Sequence, residues 1–113
     1  MEIKEKKYIK MKFAICLKTL IKENKAKAKE NKIKGIEDHK LISSLRKLES
    51  SSGISFPIIQ KISTGSKNAE LTTLVALAEG LDISVGYLFS VYDKITDLEI
   101  TKEIKEQDKK RNK

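Results

Sequence analysis

Apolar residues recur three or four positions apart along most of this chain, which is the spacing of one face of an α-helix. The clearest run comprises Leu71, Leu74, Val75, Leu77 and Ala78. Five helices are predicted from such runs, at about 12–29, 39–51, 56–63, 71–80 and 85–92. The pattern therefore predicts an all-α fold.

The stretch from Ile9 to Leu17 fits two patterns. Its alternate residues are apolar, as in a strand. Phe13, Leu17 and Leu20 also form a helical stripe, and helix-favouring residues continue to about Glu30. We expect a helix, because a lone strand would have no clear partner elsewhere in the sequence.

The two ends of the chain are highly charged. Thr96 and Glu99 have the spacing of a capping box, which predicts a sixth, short helix. We expect disorder from about Gln107. The predicted organisation is a frayed basic arm at 1–11, a folded domain at 12–93, and a short helix with a charged tail at 94–113.

A polar linker is predicted at 31–38, around Gly35. Asp38, at the end of this linker, is placed to cap the second helix. The run Ser50-Ser51-Ser52-Gly53 is expected to end that helix.

The second and third predicted helices are separated by Gly53-Ile54-Ser55. Ser55 is placed to cap the third helix with its hydroxyl, and Pro57 is tolerated in the first turn. Gly65 is a natural helix stop. Two short helices joined by a turn of about three residues that includes a glycine predict a helix-turn-helix.

The net charge of +8 is concentrated near the N-terminus. Residues 1–34 hold 12 lysines and four glutamates, whereas 35–93 are slightly acidic overall. A basic segment of this kind suits a phosphate backbone. A solubilising lysine-rich face and contact with an anionic membrane surface are the alternatives. No acidic residue occurs at 50–69, which favours docking on DNA because phosphates repel carboxylates.

Several classes of protein are disfavoured by composition. Cys16 is the only cysteine and His39 the only histidine, so neither an intrachain disulfide nor a Cys/His zinc site is expected. No catalytic motif and no cofactor motif is evident, and we expect no enzyme. No apolar run approaches the roughly 20 residues that span a bilayer. We expect a cytoplasmic protein.

The order of apolar residues and glycines over 41–92 resembles that of phage repressor/Cro-like (XRE-type) helix-turn-helix transcriptional regulators. The matching residues are Leu48, Gly53-Ile54-Ser55, Ile59, Ile62, Gly65-Ser66-Lys67-Asn68, Leu71, Leu74, Leu77-Ala78, Leu81, Ile83-Ser84 and Leu88-Phe89. The resemblance implies a compact five-helix, lambda-repressor-like domain with its helix-turn-helix at about 43–64. It also implies a sequence-specific regulator, expected to be a repressor in a bacterial or phage context and associated with the nucleoid.

Four departures from the family pattern stand out. Glu49 lies where the family usually has a small buried alanine, and Ala69 replaces the loop proline. Ser63 replaces the usual glutamate at the end of the recognition helix. Phe56-Pro57-Ile58 occupies a face that is usually polar. The segment 31–40 is also longer than usual.

The resemblance implies a division of the residues between core and DNA surface. Ile54, Ile59 and Ile62 are expected to face the core, with Ile58 partly exposed. The expected scaffold core comprises Leu71, Leu74, Leu77, Leu81, Leu88 and Phe89. The DNA-contacting residues implied at the recognition helix are Ser55, Phe56, Pro57, Gln60 and Lys61. The implied phosphate contacts are Arg46, Lys47, Thr64, Ser66, Lys67 and Asn68.

These implied contacts differ in chemistry. Gln60 suits adenine, and Lys61 suits guanine or a phosphate. Phe56 and Pro57 suit a thymine methyl group, although Phe56 equally suits packing against a neighbouring helix or a protein partner.

Family members usually bind two half-sites as dimers, so we expect a homodimer formed through Tyr87, Tyr92 and residues 94–106. The alternative function is a protein-interaction module, such as the antitoxin of a toxin–antitoxin pair, binding its partner through the apolar recognition face.

Overall fold

The computed structural model describes residues 3–35 and 41–111, with the side chains of 5–35 and 41–110. This part of the chain forms six helices and no strand, so the predicted all-α fold is confirmed. The helices are α1 (Ile3–Ile33), α2 (Leu45–Ser52), α3 (Phe56–Ser63), α4 (Leu71–Gly80), α5 (Val85–Lys94) and α6 (Asp97–Arg111). The longest dimension of the molecule, 47 Å, is about the length of a 31-residue helix such as α1.

The first helix is much longer than the sequence pattern predicts. Because α1 begins at Ile3, the prediction of a frayed arm is wrong for residues 3–11, and so is the strand alternative for Ile9 to Leu17. Met11 is buried, and Tyr8 packs against the core. This burial, together with the helix propensity of lysine and glutamate, stabilises the first turns of α1.

The second helix is shorter than predicted. It begins at Leu45, and the hydroxyl of Ser44 caps it by accepting a hydrogen bond of 3.1 Å from the backbone N–H of Lys47. The predicted start of this helix at about 39 is therefore wrong for residues 41–44, which precede α2. Asp38, the predicted cap, and His39 lie outside the described residues. The helix ends at Ser52, and the Gly53 that follows has a φ of 76°, in the left-handed region that glycine tolerates.

Helices α4 and α5 have the predicted positions, but two expected core residues are exposed. Leu71, in the first turn of α4, is 71% exposed, and Phe89 is 38% exposed. Leu77, Leu81 and Leu88 are buried as predicted, and Leu74 is partly buried. The cap of α5 is also confirmed, because the Ser84 hydroxyl accepts from the N–H of Tyr87 at 3.0 Å.

The sixth helix is longer than expected. The capping box is confirmed, since Thr96 and Glu99 exchange backbone-to-side-chain hydrogen bonds of 3.3 and 3.2 Å. The predicted disorder from Gln107 is wrong as far as Arg111, because α6 continues to that residue. Ile100 is fully buried, and the Lys18 ammonium pairs with the Glu103 carboxylate at 3.0 Å. These contacts hold α6 against α1.

The centre of the core lies against the middle of α1. Its largest fully buried side chains are Leu17, Leu48, Ile59, Ile62, Leu77, Leu88 and Ile100. Burial of each stabilises the fold by about 1.5–3 kcal/mol. Cys16 lies among them, with its thiol donating to the backbone carbonyl of Leu88 at 3.5 Å. Burial raises the pKa of this thiol to about 12, so it stays protonated at neutral pH.

No single helix of the described part has the length and apolar character to cross a membrane. Helices α4 and α5 meet the length and composition criteria only when taken together, and they are bent by 99° relative to each other.

Candidate nucleic-acid interface

The turn between α2 and α3 is fixed by hydrogen bonds. The N–H of Gly53 donates to the carbonyl of Glu49 at 3.0 Å. The Ser52 hydroxyl donates to the carbonyl of Leu48 at 2.6 Å and accepts from the N–H of Ile54 at 3.1 Å. Since these bonds satisfy the backbone groups around a three-residue turn, α2 and α3 have a defined relative orientation.

One face of α3 is buried and the other is exposed. Ile59 and Ile62 are buried, as predicted, and Ile54 in the preceding turn packs against the core. The predicted exposure of Ile58 is confirmed at 36%. The other exposed predicted site residues of this segment are Ser55, Pro57, Gln60 and Lys61. The polar groups of Gln60 and Lys61 therefore lie on the outer face of α3.

The N-terminus of α3 is capped by Glu49 and not by Ser55. Ser55 occupies the N-cap position, but its hydroxyl makes no capping hydrogen bond, so that prediction is wrong. Instead, a carboxylate oxygen of Glu49 accepts from the N–H of Phe56 at 2.7 Å. The acidic side chain reaches across the turn from α2 and places a negative charge at the positive end of the α3 dipole.

Phe56 packs against α2. The guanidinium carbon of Arg46 lies 3.7 Å from the centre of the Phe56 ring, and Arg46 Nη1 lies 4.0 Å from Glu49 Oε1. Phe56 is half-buried in this arrangement. The structure therefore favours the packing role for Phe56, and we name Arg46, Glu49 and Phe56 the α2–α3 clasp.

Glu49 is the site residue that sequence reasoning missed. It precedes Phe56 by seven positions and belongs to another helix, so local capping patterns do not reveal the pair. The available signal was its unusual occurrence where the repressor-like pattern has a small alanine. Glu49 also weakens the argument from the acid-free stretch 50–69, because its carboxylate reaches the backbone N–H of Phe56 within that stretch.

The loop after α3 is held by its own polar groups. The hydroxyls of Thr64 and Ser66 donate to the carbonyl of Lys61 at 3.1 and 3.0 Å. The N–H groups of Ser66 and Lys67 donate to the same carbonyl. Because both hydroxyls donate within the loop, Thr64 and Ser66 stabilise the loop conformation, and these two donors are not free for a phosphate.

Positive charge nevertheless surrounds the outer face of α3. Lys61 lies on the helix, Lys67 in the following loop, and Arg46 and Lys47 in the first turn of α2; all four are exposed. The Lys47 ammonium donates to the Ser43 hydroxyl at 3.1 Å. Asn68 is also exposed beside Lys67. The structure thus brings the predicted site residues to the surface of α2, α3 and the loop, with Phe56 directed onto α2.

No metal centre is associated with the described side chains, since no group of three or more His, Cys, Asp or Glu residues lies together among them. Comparisons with protein-family models, with curated proteins and with solved structures found no match to this chain.

Proposed function

We propose that the protein is a sequence-specific DNA-binding transcriptional regulator of the repressor/Cro-like type, acting as a repressor on DNA in the cytoplasm. Helices α2 and α3 serve as its helix-turn-helix, with α3 in the major groove. The observation that carries this proposal is the two-sided character of α3. Ile59 and Ile62 fix its inner face in the core, while Gln60 and Lys61 are exposed on the outer face.

The side chains of the outer face suit different parts of a duplex. The Gln60 amide matches the donor and acceptor pair of adenine, and the Lys61 ammonium matches guanine or a phosphate. Pro57 offers an apolar surface to a thymine methyl group. The phosphate backbone of the duplex is contacted by Lys47, Lys67 and Asn68, and these contacts set the register of α3 on the DNA.

Phe56 has a positioning role in this proposal. Its ring lies under the Arg46 guanidinium and its N–H is held by Glu49, so the clasp orients the first turn of α3. Arg46 remains 72% exposed despite the stacking, which leaves donors of its guanidinium available to a phosphate.

The test is selection of bound duplexes from a randomised pool at about 100 mM salt, a concentration at which phosphate contacts contribute strongly to affinity. Recovery of a motif is expected. A Lys61→Glu/Lys67→Glu variant should lose affinity for the recovered duplex while its helical circular dichroism remains. Weak binding by the parent with no enriched motif would overturn the proposal.

We further propose a homodimer that binds two half-sites. Tyr87 on α5 is 48% exposed and is available for such an interface. Tyr92 is half-buried, with the Lys12 ammonium 4.6 Å from its ring centre, so less of its ring is open to a partner than that of Tyr87. Sedimentation of the protein alone and on a duplex with two half-sites measures the mass. A monomer in both conditions contradicts the dimer.

A protein-interaction role, such as that of an antitoxin, is the second candidate. Pro57 and Ile58 favour it, because they form an exposed apolar patch at the start of α3. The Lys61→Glu/Lys67→Glu variant separates the candidates. Loss of DNA affinity with an intact fold favours docking on DNA, and unchanged weak binding in parent and variant favours a protein partner.

A further inference from the structure

The lysines in the first half of α1 have different surroundings. The ammonium of Lys7 lies 3.6 Å from a carboxylate oxygen of Asp108, and that of Lys18 lies 3.0 Å from Glu103. Lys12 lies over the ring of Tyr92. These three side chains are engaged with α5 and α6. Lys6 and Lys10, in contrast, have no ion pair with the side chains of 5–35 and 41–110.

Lys6 and Lys10 lie one helical turn apart and share a surface recess with the loop that follows α3. This recess, the lysine notch, has a volume of about 340 Å³ and is lined by Lys6, Ile9, Lys10 and Asn68. An adjoining apolar groove of about 150 Å³ is lined in part by Lys10, Lys67 and Asn68. Among the described side chains, no carboxylate lines either recess. Glu5, next to Lys6 in sequence, is exposed outside their lining.

The loop is fixed against α1 at this point. A Cβ atom on Gly65 would lie 3.0 Å from the terminal methyl group of Met11, and Gly65 has a φ of 78°. Gly65 therefore allows the loop to approach α1 closely. Because Asn68 lines the lysine notch and belongs to the loop that follows α3, the notch lies beside the loop at the C-terminal end of that helix.

We infer that the lysine notch binds phosphate groups of the DNA backbone beside the base pairs that α3 contacts. This inference rests on the proposed function. Ammonium groups and the amide of Asn68 are donors suited to phosphate oxygens, and the described lining residues include no carboxylate that would repel a phosphate. The first turns of α1 thus extend the DNA contact beyond α2, α3 and their loop.

The experiment compares salt dependence among variants of the full chain. Lys6→Gln/Lys10→Gln removes both charges and keeps good helix-forming residues. The matched control, Lys25→Gln/Lys29→Gln, changes two exposed lysines with the same spacing on the same helix, about 28 Å further along its axis. Lys6→Arg/Lys10→Arg preserves the charge. Affinity for the selected duplex, or for a mixed-sequence duplex, is measured between about 50 and 200 mM salt.

Each lost phosphate contact lowers the slope of log affinity against log salt by about 0.9. The double glutamine variant should therefore show a slope shallower by about 2 for each protomer bound. If parent and variant have equal affinity at 1 M salt, this difference in slope makes the variant bind roughly 60-fold more weakly than the parent at 0.1 M. The arginine variant and the control should keep the parental slope, and circular dichroism should be the same for all four proteins.

The outcomes separate this inference from the proposed function. If the parent binds no duplex, the proposed function fails, and the inference fails with it. If the parent binds and the Lys6→Gln/Lys10→Gln slope equals the parental slope, only the lysine notch is refuted. Vesicles of phosphatidylcholine and phosphatidylserine in equal parts provide a second arm. Loss of vesicle binding without loss of DNA affinity would assign the notch to a membrane surface and overturn the inference.

Discussion

Removal of the Glu49 carboxylate tests the α2–α3 clasp most directly. Glu49→Ala deletes the acceptor that lies 2.7 Å from the N–H of Phe56, and Glu49→Gln keeps an acceptor oxygen but removes the charge. Loss of a capping side chain costs about 0.5–2 kcal/mol, and a charge at a helix N-terminus contributes about 0.3–1 kcal/mol. The Glu49 side chain is 39% exposed. In the variants, water can therefore partly take over its hydrogen bond to the Phe56 N–H, and we expect values in the lower halves of these ranges.

We therefore expect a destabilisation of about 1 kcal/mol for Glu49→Ala and about 0.5 kcal/mol for Glu49→Gln. Alanine has a slightly higher helix propensity than glutamate, which offsets a few tenths of a kcal/mol in α2. Glutamine and glutamate have nearly equal propensities, so the Gln variant isolates the charge. For a domain of this size, 1 kcal/mol corresponds to about 4 °C in Tm.

Urea denaturation measures the free energy of unfolding, and hydrogen exchange of the Phe56 amide reports the cap itself. Exchange at Phe56 should accelerate about fivefold in Glu49→Ala, which is the ratio equivalent to 1 kcal/mol. Glu70→Ala is the matched control, because Glu70 occupies the N-cap position of α4 without a side-chain capping bond. Its stability should stay within about 0.5 kcal/mol of the parent. Parental stability and parental Phe56 exchange in Glu49→Ala would refute the clasp.

Three further predictions concern the scaffold. Gly80→Ala should lower the free energy of unfolding, measured by urea denaturation, by about 1–3 kcal/mol. The added Cβ would lie 2.8 Å from the Cβ of Ser52 and 3.0 Å from its backbone. Gly86→Ala is the control that should be tolerated, because the nearest atom to its added Cβ would be 3.8 Å away. The hydrogen bond from Lys18 holds the pKa of the Glu103 carboxyl below its usual range, so its stabilisation is complete above the unfolded pKa and is lost as pH falls through the folded pKa. The difference in unfolding free energy between parent and Glu103→Gln should therefore shrink in acid, and a constant difference contradicts the coupling. The Cys16 thiol, with a pKa of about 12, should resist an aromatic disulfide reagent at pH 8 until the protein unfolds, whereas fast modification of the native protein contradicts its burial.

Local signals predicted many helix ends correctly. Ser84 caps α5, and Thr96 with Glu99 caps α6, as their spacing indicates. The limits of α3 also agree, and Gly53 and Gly65, which lie on either side of it, have positive φ values that few other residues adopt. Each of these features depends on residues within a few positions of one another, and such interactions are encoded directly in the sequence.

The errors have a tertiary origin. The lysine-rich start of α1 does not look like a core helix, yet Met11 is 3% exposed because the loop around Gly65 covers it. Leu71 has helical spacing with Leu74 and is still exposed, at the first residue of α4. Gln107 lies on α6, and its amide nitrogen is 4.0 Å from the sulfur of Met11 on α1. Periodicity alone does not specify which long-range partner covers a residue.

The candidate site shows the same limit, and it gives the unusual residues a common explanation. Glu49 and Phe56 depart separately from the repressor-like pattern, but in the structure they meet through a hydrogen bond and share Arg46. A small alanine at 49 would leave the N–H of Phe56 without this acceptor, and a short polar residue at 56 would leave Arg46 without a ring to stack on. The two departures therefore belong to a single set of contacts, the α2–α3 clasp, which orients α3. If α3 reads DNA, the apolar ring of Phe56 contributes by fixing that helix, and base contact falls to Pro57, Gln60 and Lys61.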